Sequence, residues 1–343
     1  MGIHKNYDIE IGKLKKGPNN LITDVNGVKV GHVTLNDGKI KTGVTTILPH
    51  GGNIFKEKVL ASSYVINGFG KSMGLIQLEE LGTIETPIIM TNTLSIGTAA
   101  NGLIKYMLEQ NEDIGKTTGT VNCVITECND GYLNDIRGLH VKEEHVYEAI
   151  NKAEVIFEEG SVGSGTGMSC YGLKGGIGSS SRIIELDNKE YTLGALVMSN
   201  FGNKSDLIIN KNNLGISLEY LNKIELSEKE KGSIIIIIAT DIPLSERQLK
   251  RLSKRAVIGL GRTGSHLGNG SGDICITFTT ANKIMHYSTT NIIDIKMVDD
   301  NMMDIIFRAL IESVEESVIS SLLHSKTTVG RDGNERKSLT EFI

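Results

Sequence analysis

The stretch GSIIIIIATDIPL, residues 232–244, decides the fold. Five consecutive isoleucines, Ile234 to Ile238, leave no polar face. A run of this kind fits a central strand packed against sheet or helix on both sides. At ~1.5–3 kcal/mol for each buried side chain, it supplies on the order of 10 kcal/mol before entropy is subtracted. That drive is too large for a surface loop. Just upstream, residues 224–231 (IELSEKEK) read as a mobile, solvated charged linker. Downstream, Pro243 ends the strand and Ser245 is placed to cap a helix over residues 246–261, with Leu249, Leu252, Ala256, Val257 and Leu260 as its apolar stripe.

Working outward, residues 21–49 alternate β-branched residues with turn punctuation, and Asn26-Gly27 between two apolar runs predicts a hairpin. Helical periodicity marks residues 56–65, 94–108, 141–156 and 302–323, and strand-like runs occupy 86–92, 120–126 and 191–198. Blocks of sheet and helix mix without strict βαβ alternation, which points to layered α+β packing.

Composition narrows the class. The chain has 343 residues, enough for a large core, and its formal net charge of −5 lacks the basic footprint of a nucleic-acid binder. No apolar run approaches the ~20 residues of a membrane span, and the first residues show no apolar leader, so a cytoplasmic protein is expected. Four scattered cysteines do not make a disulfide framework, which fits a reducing compartment. Cys123 and Cys128 have no histidine nearby, no HExxH occurs, and His140 and His145 are five apart, so neither a metal nor a cofactor is expected.

Glycine is in excess, at 39 residues, and two stretches concentrate it: 8 in residues 160–178 and 6 in residues 259–272. A phosphate loop is tested and fails. After Gly167 and Gly172 the lysine position of G-x4-G-K is Leu173, with Lys174 one place late, and the dinucleotide pattern from Gly163 and Gly165 meets Met168. Close backbone approach is the better reading of these glycines.

The junction Lys231-Gly232-Ser233 carries the chemistry. A serine opening a buried strand, behind a glycine with no side chain to shield the preceding carbonyl, is what a self-cleaving N-terminal nucleophile requires. Scission would free an α-amine with a pKa of ~7.7–8.0, suited to serve as the base for its own hydroxyl. From these residues alone the plainer reading, a strand-start serine after a turn glycine, is favoured.

A resemblance changes the balance. The segments NLITDVNGVKVGHVT (20–34), GVTTILPHGG (43–52), TNTLSIG (91–97), NDGYLNDIRG (129–138), GSVGSGTGMSCYGLKGGIGSSSR (160–182), NFG (200–202), GSIIIIIATDIPL (232–244), RAVIGLGRTGS (255–265) and GSGDI (270–274) resemble, in order, those of the self-cleaving serine aminopeptidases. These are the L-aminopeptidase/D-esterase-amidase family, which includes the β-peptidyl aminopeptidases. The resemblance implies a four-layer αββα sandwich of the kind shared with ornithine acetyltransferases. It also implies one domain cut between Gly232 and Ser233 into residues 1–232 and 233–343, with Ser233 as nucleophile.

By the same resemblance Asn200 is the side-chain donor to the oxyanion, and Tyr132 donates to that oxyanion or steers the Ser233 amine. Ser271 and Asp273 orient and tune Ser233. Asp273 stands where a β-peptidyl member has Glu, a departure that weakens an expectation of β-peptide preference. Glu127 is a candidate for the substrate ammonium, against the plainer reading of a solvated strand-end carboxylate. The expected substrates are short peptides, amides or esters, the expected assembly is a homotetramer of cleaved protomers, and no cofactor is implied. Two other readings remain at this stage: an acyltransferase of the ornithine acetyltransferase type, disfavoured by serine in place of threonine, and a non-catalytic paralogue.

Overall fold

The isoleucine run is a strand with one apolar layer on each side. It was located in a computed structural model that describes residues 9–210, 212–213 and 231–343. The charged linker, apart from Lys231, lies outside the described residues.

In chain order the elements are β1 (Lys29–Asp37), β2 (Ile40–Leu48), β3 (Glu57–Gly68), α1 (Leu75–Leu81), β4 (Thr83–Ile84), β5 (Ile88–Asn92), α2 (Ile96–Gln110), β6 (Val124–Cys128) and α3 (Glu143–Asn151). There follow β7 (Ser169–Cys170), β8 (Leu173–Lys174), β9 (Gly176–Leu186), β10 (Lys189–Asn200), β11 (Ile208–Ile209) and β12 (Asn212–Asn213). The chain then continues through β13 (Lys231–Thr240), α4 (Glu246–Ser253), α5 (Ala256–Arg262), β14 (Gly270–Met285), α6 (Met303–Leu323), β15 (Thr328–Val329) and β16 (Glu335–Arg336).

Two sheets stack face to face. One is four-stranded, β1-β2-β5-β6, and the other six-stranded, β4-β3-β14-β13-β10-β9, with β13 and β14 parallel at its centre. Alternation along β13 splits the isoleucines. Ile235 and Ile237 join Ile47, Ile89, Ile125 and Ile276 in the core between the sheets, which continues to α2 and α3 on the far side of the smaller sheet. Ile234, Ile236 and Ile238 face Leu310, Val314 and Val318 of α6 and Leu249 and Leu252 of α4. The order is therefore helix, sheet, sheet, helix, the expected αββα sandwich.

Ser245 caps α4 as read: its hydroxyl accepts the Gln248 N–H, and Gln248 Oε1 accepts the Ser245 N–H in return. Three details differ from the sequence expectations. Residues 56–65 are strand β3 rather than helix, because Val59 to Ser63 are buried on both faces and the period-2 signal vanishes. The helix over 246–261 is broken at Lys254-Arg255, where the Arg255 guanidinium stacks 3.7 Å from the Phe307 ring centre. Asn26-Gly27 does form a turn, with Gly27 at φ +90°, but the run before it is a 3-10 turn, Ile22–Asp24. The Asp24 carboxylate accepts the Asn19 and Leu21 N–H groups there, so the first hairpin closes at residues 38–39 instead. Among the described residues no helix is long and apolar enough to cross a membrane.

Candidate active site

Ser233 is the third residue of β13, not the first, because β14 pairs with Lys231 and Gly232 ahead of it, while β10 reaches only as far as Ser233. Its register partners are Asn200, the last residue of β10, and Gly272 of β14. Partners in register share a face, so the Ser233 hydroxyl and the Asn200 amide emerge together toward β6 of the other sheet. Asn200 Nδ2 lies 3.5 Å from Ser233 Oγ and donates to the Asn129 carbonyl at 3.1 Å. Its Oδ1 accepts the Ser169 N–H at 2.9 Å. An amide held at both ends has one orientation, with its NH2 group toward the serine. Gly232 is required by space: a Cβ there would sit 2.3 Å from the Asn200 carbonyl oxygen and 2.7 Å from Phe201 Cα.

Ser271 and Asp273 are together and fully buried, the Ser271 hydroxyl donating to Asp273 Oδ1 at 2.6 Å. Their register partners are Gly232 and Ile234, so they occupy the face opposite the Ser233 hydroxyl.

Glu127 is 3% exposed, not a solvated strand-end group. One oxygen accepts the Lys71 N–H at 2.9 Å and the other accepts the Thr93 hydroxyl. The next residue, Cys128, donates its thiol to the Met198 carbonyl at 3.6 Å, beside the Ser233 hydroxyl. Burial pushes that thiol well above its ordinary pKa and keeps it protonated. Tyr132 is on the loop that follows but is not drawn into the Ser233–Asn200 pair. Its ring is 40% exposed, lies 3.6 Å from the Arg336 guanidinium, and its hydroxyl makes no hydrogen bond to Ser233 or Asn200.

Residues that sequence reasoning missed are those that act through backbone: Ser169 N–H and the Asn129 carbonyl. Ser169 belongs to the small hairpin β7–β8, turned by Tyr171 and Gly172 at positive φ and attached to β10 by the Tyr171 N–H to the Phe201 carbonyl at 2.7 Å. Its glycine content was visible, and its hold on Asn200 was not. Behind it Lys174 is fully buried, and desolvation lowers its pKa to about 7. Asp130 is also buried, and desolvation raises its pKa to about 7 against the pull of hydrogen bonds from Thr42 and Asn134. All four cysteines are buried, and none is in a disulfide. Among the described residues no group of three or more His, Cys, Asp and Glu side chains is placed to hold a metal ion.

A serine near the start of a buried strand, beside a fixed amide and within an αββα sandwich, fits the hydrolases that carry an N-terminal nucleophile on a central strand. Peptidase family S58 matches residues 20–336, and the chain belongs to that family. It is 37% identical to the β-peptidyl aminopeptidase of Sphingosinicella microcystinivorans over 341 residues, covering 93% of this chain and 85% of the relative. Among solved structures, a protein of Pyrococcus horikoshii OT3 is 56% identical, with a TM-score of 0.94 over 99% of this chain and 96% of the other. The L-aminopeptidase D-Ala-esterase/amidase of Ochrobactrum anthropi, described as a prototype of the serine aminopeptidases and a variant of the Ntn hydrolase fold, is 33% identical. Its TM-score is 0.90, over 98% of this chain and 94% of the other. The chain is thus a peptide-bond hydrolase, and the family expected from its motifs is the one it belongs to.

Proposed function

We propose that the chain is a self-activating serine aminopeptidase that releases N-terminal residues from short peptides, amides or esters through an acyl-Ser233 intermediate. The observation that carries this is the Asn200 amide, held by Ser169 and Asn129 and aimed at Ser233 Oγ from 3.5 Å. In the activating step the Ser233 hydroxyl adds to the Gly232 carbonyl carbon and the C–N bond to Ser233 breaks. Proton transfer to the departing nitrogen leaves an ester. Water hydrolyses that ester, giving a Gly232 carboxylate and a free Ser233 amine.

In turnover the Ser233 amine takes the hydroxyl proton as the oxygen attacks the substrate carbonyl, and then returns it to the leaving amine. Asn200 Nδ2 donates to the oxyanion, a contribution of ~2.7–4 kcal/mol to the barrier for one well-placed donor. Glu127 receives the substrate ammonium. Ser271 and Asp273 act from the opposite face on the new amine rather than on the hydroxyl. Tyr132, on the loop that follows Asn129, donates to the same oxyanion or steers the Ser233 amine. The relatives named for β-peptides and for L- and D-substrates leave the choice of residue to the pocket walls, and a tetramer of cut protomers is the assembly this reading carries.

Intact mass tests the first step: the purified chain is expected as two pieces, residues 1–232 and 233–343, and Ser233→Ala as one. Cleavage that survives Ser233→Ala, or a wild-type chain that stays whole indefinitely, overturns the proposal. A panel of D- and L-aminoacyl p-nitroanilides tests the second step.

A further inference from the structure

We propose that Lys174 is a positioning residue for the oxyanion donor: from a buried site it fixes the β7–β8 hairpin so that the Ser169 N–H sets the orientation of the Asn200 amide. The inference rests on the assignment of Asn200 made above. Lys174 is the register partner of Ser169 across that hairpin. Its ammonium group donates to the Gly165 carbonyl at 3.0 Å and the Gly175 carbonyl at 2.5 Å, and its backbone N–H donates to the Lys337 carbonyl at 2.8 Å. One side chain therefore ties Gly165, ahead of the hairpin, to Gly175, directly behind it.

Gly175 in turn lies against β10 one residue before Asn200, since a Cβ there would be 2.4 Å from the Ser199 carbonyl oxygen. The titratable groups that act on Lys174 are the Cys170 thiol and the Asp130 carboxyl, both buried. Asp130 follows Asn129, whose carbonyl holds the other end of the Asn200 amide. The buried amine thus stands between the two loops that grip Asn200, one by Oδ1 and one by Nδ2. A lysine one place late for a phosphate loop has a use in that position: its ligands are the loop's own carbonyls.

The test is a double-mutant cycle on kcat per cleaved chain, using an aminoacyl p-nitroanilide and the full-length protein, with cleavage counted by mass. Lys174→Met is expected to lower kcat about 10- to 100-fold through misplacement of the donor, with KM within about twofold. In the Asn200→Ala background it is expected to add little, because the group it aims is gone. Ser169→Pro removes that N–H by a different route, together with the serine side chain and some backbone freedom, and should repeat both results, which covers the case in which Lys174→Met does not fold. Full additivity of Lys174→Met, or of Ser169→Pro, with Asn200→Ala overturns the inference. If Asn200→Ala leaves kcat intact, the oxyanion assignment itself fails, and this inference fails with it.

Discussion

Strand β13 and the glycine-rich segment of residues 160–178 are both largely buried, both reach the Ser233–Asn200 pair, and are built on opposite principles. β13 is packed by side chains: Ile234 to Ile238 are fully covered by apolar neighbours on both faces. The glycine segment is packed by backbone. A Cβ on Gly167 would lie 2.1 Å from the Lys41 carbonyl oxygen, and one on Gly178 would lie 2.0 Å from the Ser317 carbonyl oxygen of α6. Side-chain packing yields to small changes of volume, whereas backbone on backbone leaves nothing to rotate away. The nucleophile therefore rests on the tolerant region and the oxyanion donor on the intolerant one.

The largest effect is expected where that intolerance is greatest. Gly178→Ala should destabilise the protein by about 3 kcal/mol or more, since the clash is with backbone on both sides. Urea unfolding measures it, and a loss under about 1 kcal/mol would show that the glycine segment yields as β13 does.

An intermediate effect comes from pH. The His32 imidazole pins the same segment: Nε2 donates to the Glu158 carbonyl at 3.1 Å, and Nδ1 accepts from Thr45, whose hydroxyl oxygen receives the Ser164 N–H. Desolvation lowers the His32 pKa to about 4. Between the unfolded value of 6.5 and that figure the unfolded chain binds a proton that the folded chain refuses. This contribution to stability is whole above pH 6.5 and shrinks as pH falls toward 4, by up to about 3 kcal/mol. His32→Gln should flatten that part of the stability-against-pH curve, and an unchanged slope would remove His32 as its cause.

The smallest effect belongs to the strand. Ile236→Val should cost about 0.5–1.5 kcal/mol and leave kcat unchanged within error. A larger loss would erase the contrast between the two regions.

The same contrast explains what could be read from residue types. Layers, central strand and the Ser245 cap were legible because side-chain chemistry determines them. β3 was misread because burial of Val59 to Ser63 on both faces removes the alternation that distinguishes strand from helix. At the site, Ser233, Asn200, Ser271 and Asp273 were reached through family motifs; residue types alone favoured the plain reading of Ser233. The grip on Asn200 was illegible, since a donated N–H and a carbonyl belong to every residue and Ser169 and Asn129 carry no mark of the task. The burial of Glu127 was hidden for a similar reason: its partners, Lys71 and Thr93, are remote in sequence.

The strand order of the larger sheet has a further consequence. β14 and all of β13 from Ser233 onward lie between β3 and β10, both before residue 232. A chain cut before Ser233 would hold its shorter piece by hydrogen-bond ladders on both flanks, so activation would not release it. Once denatured, however, the two pieces would have to find each other by diffusion. Folding that is first order in the precursor would become second order in the mature form, and recovery from unfolding would depend on protein concentration.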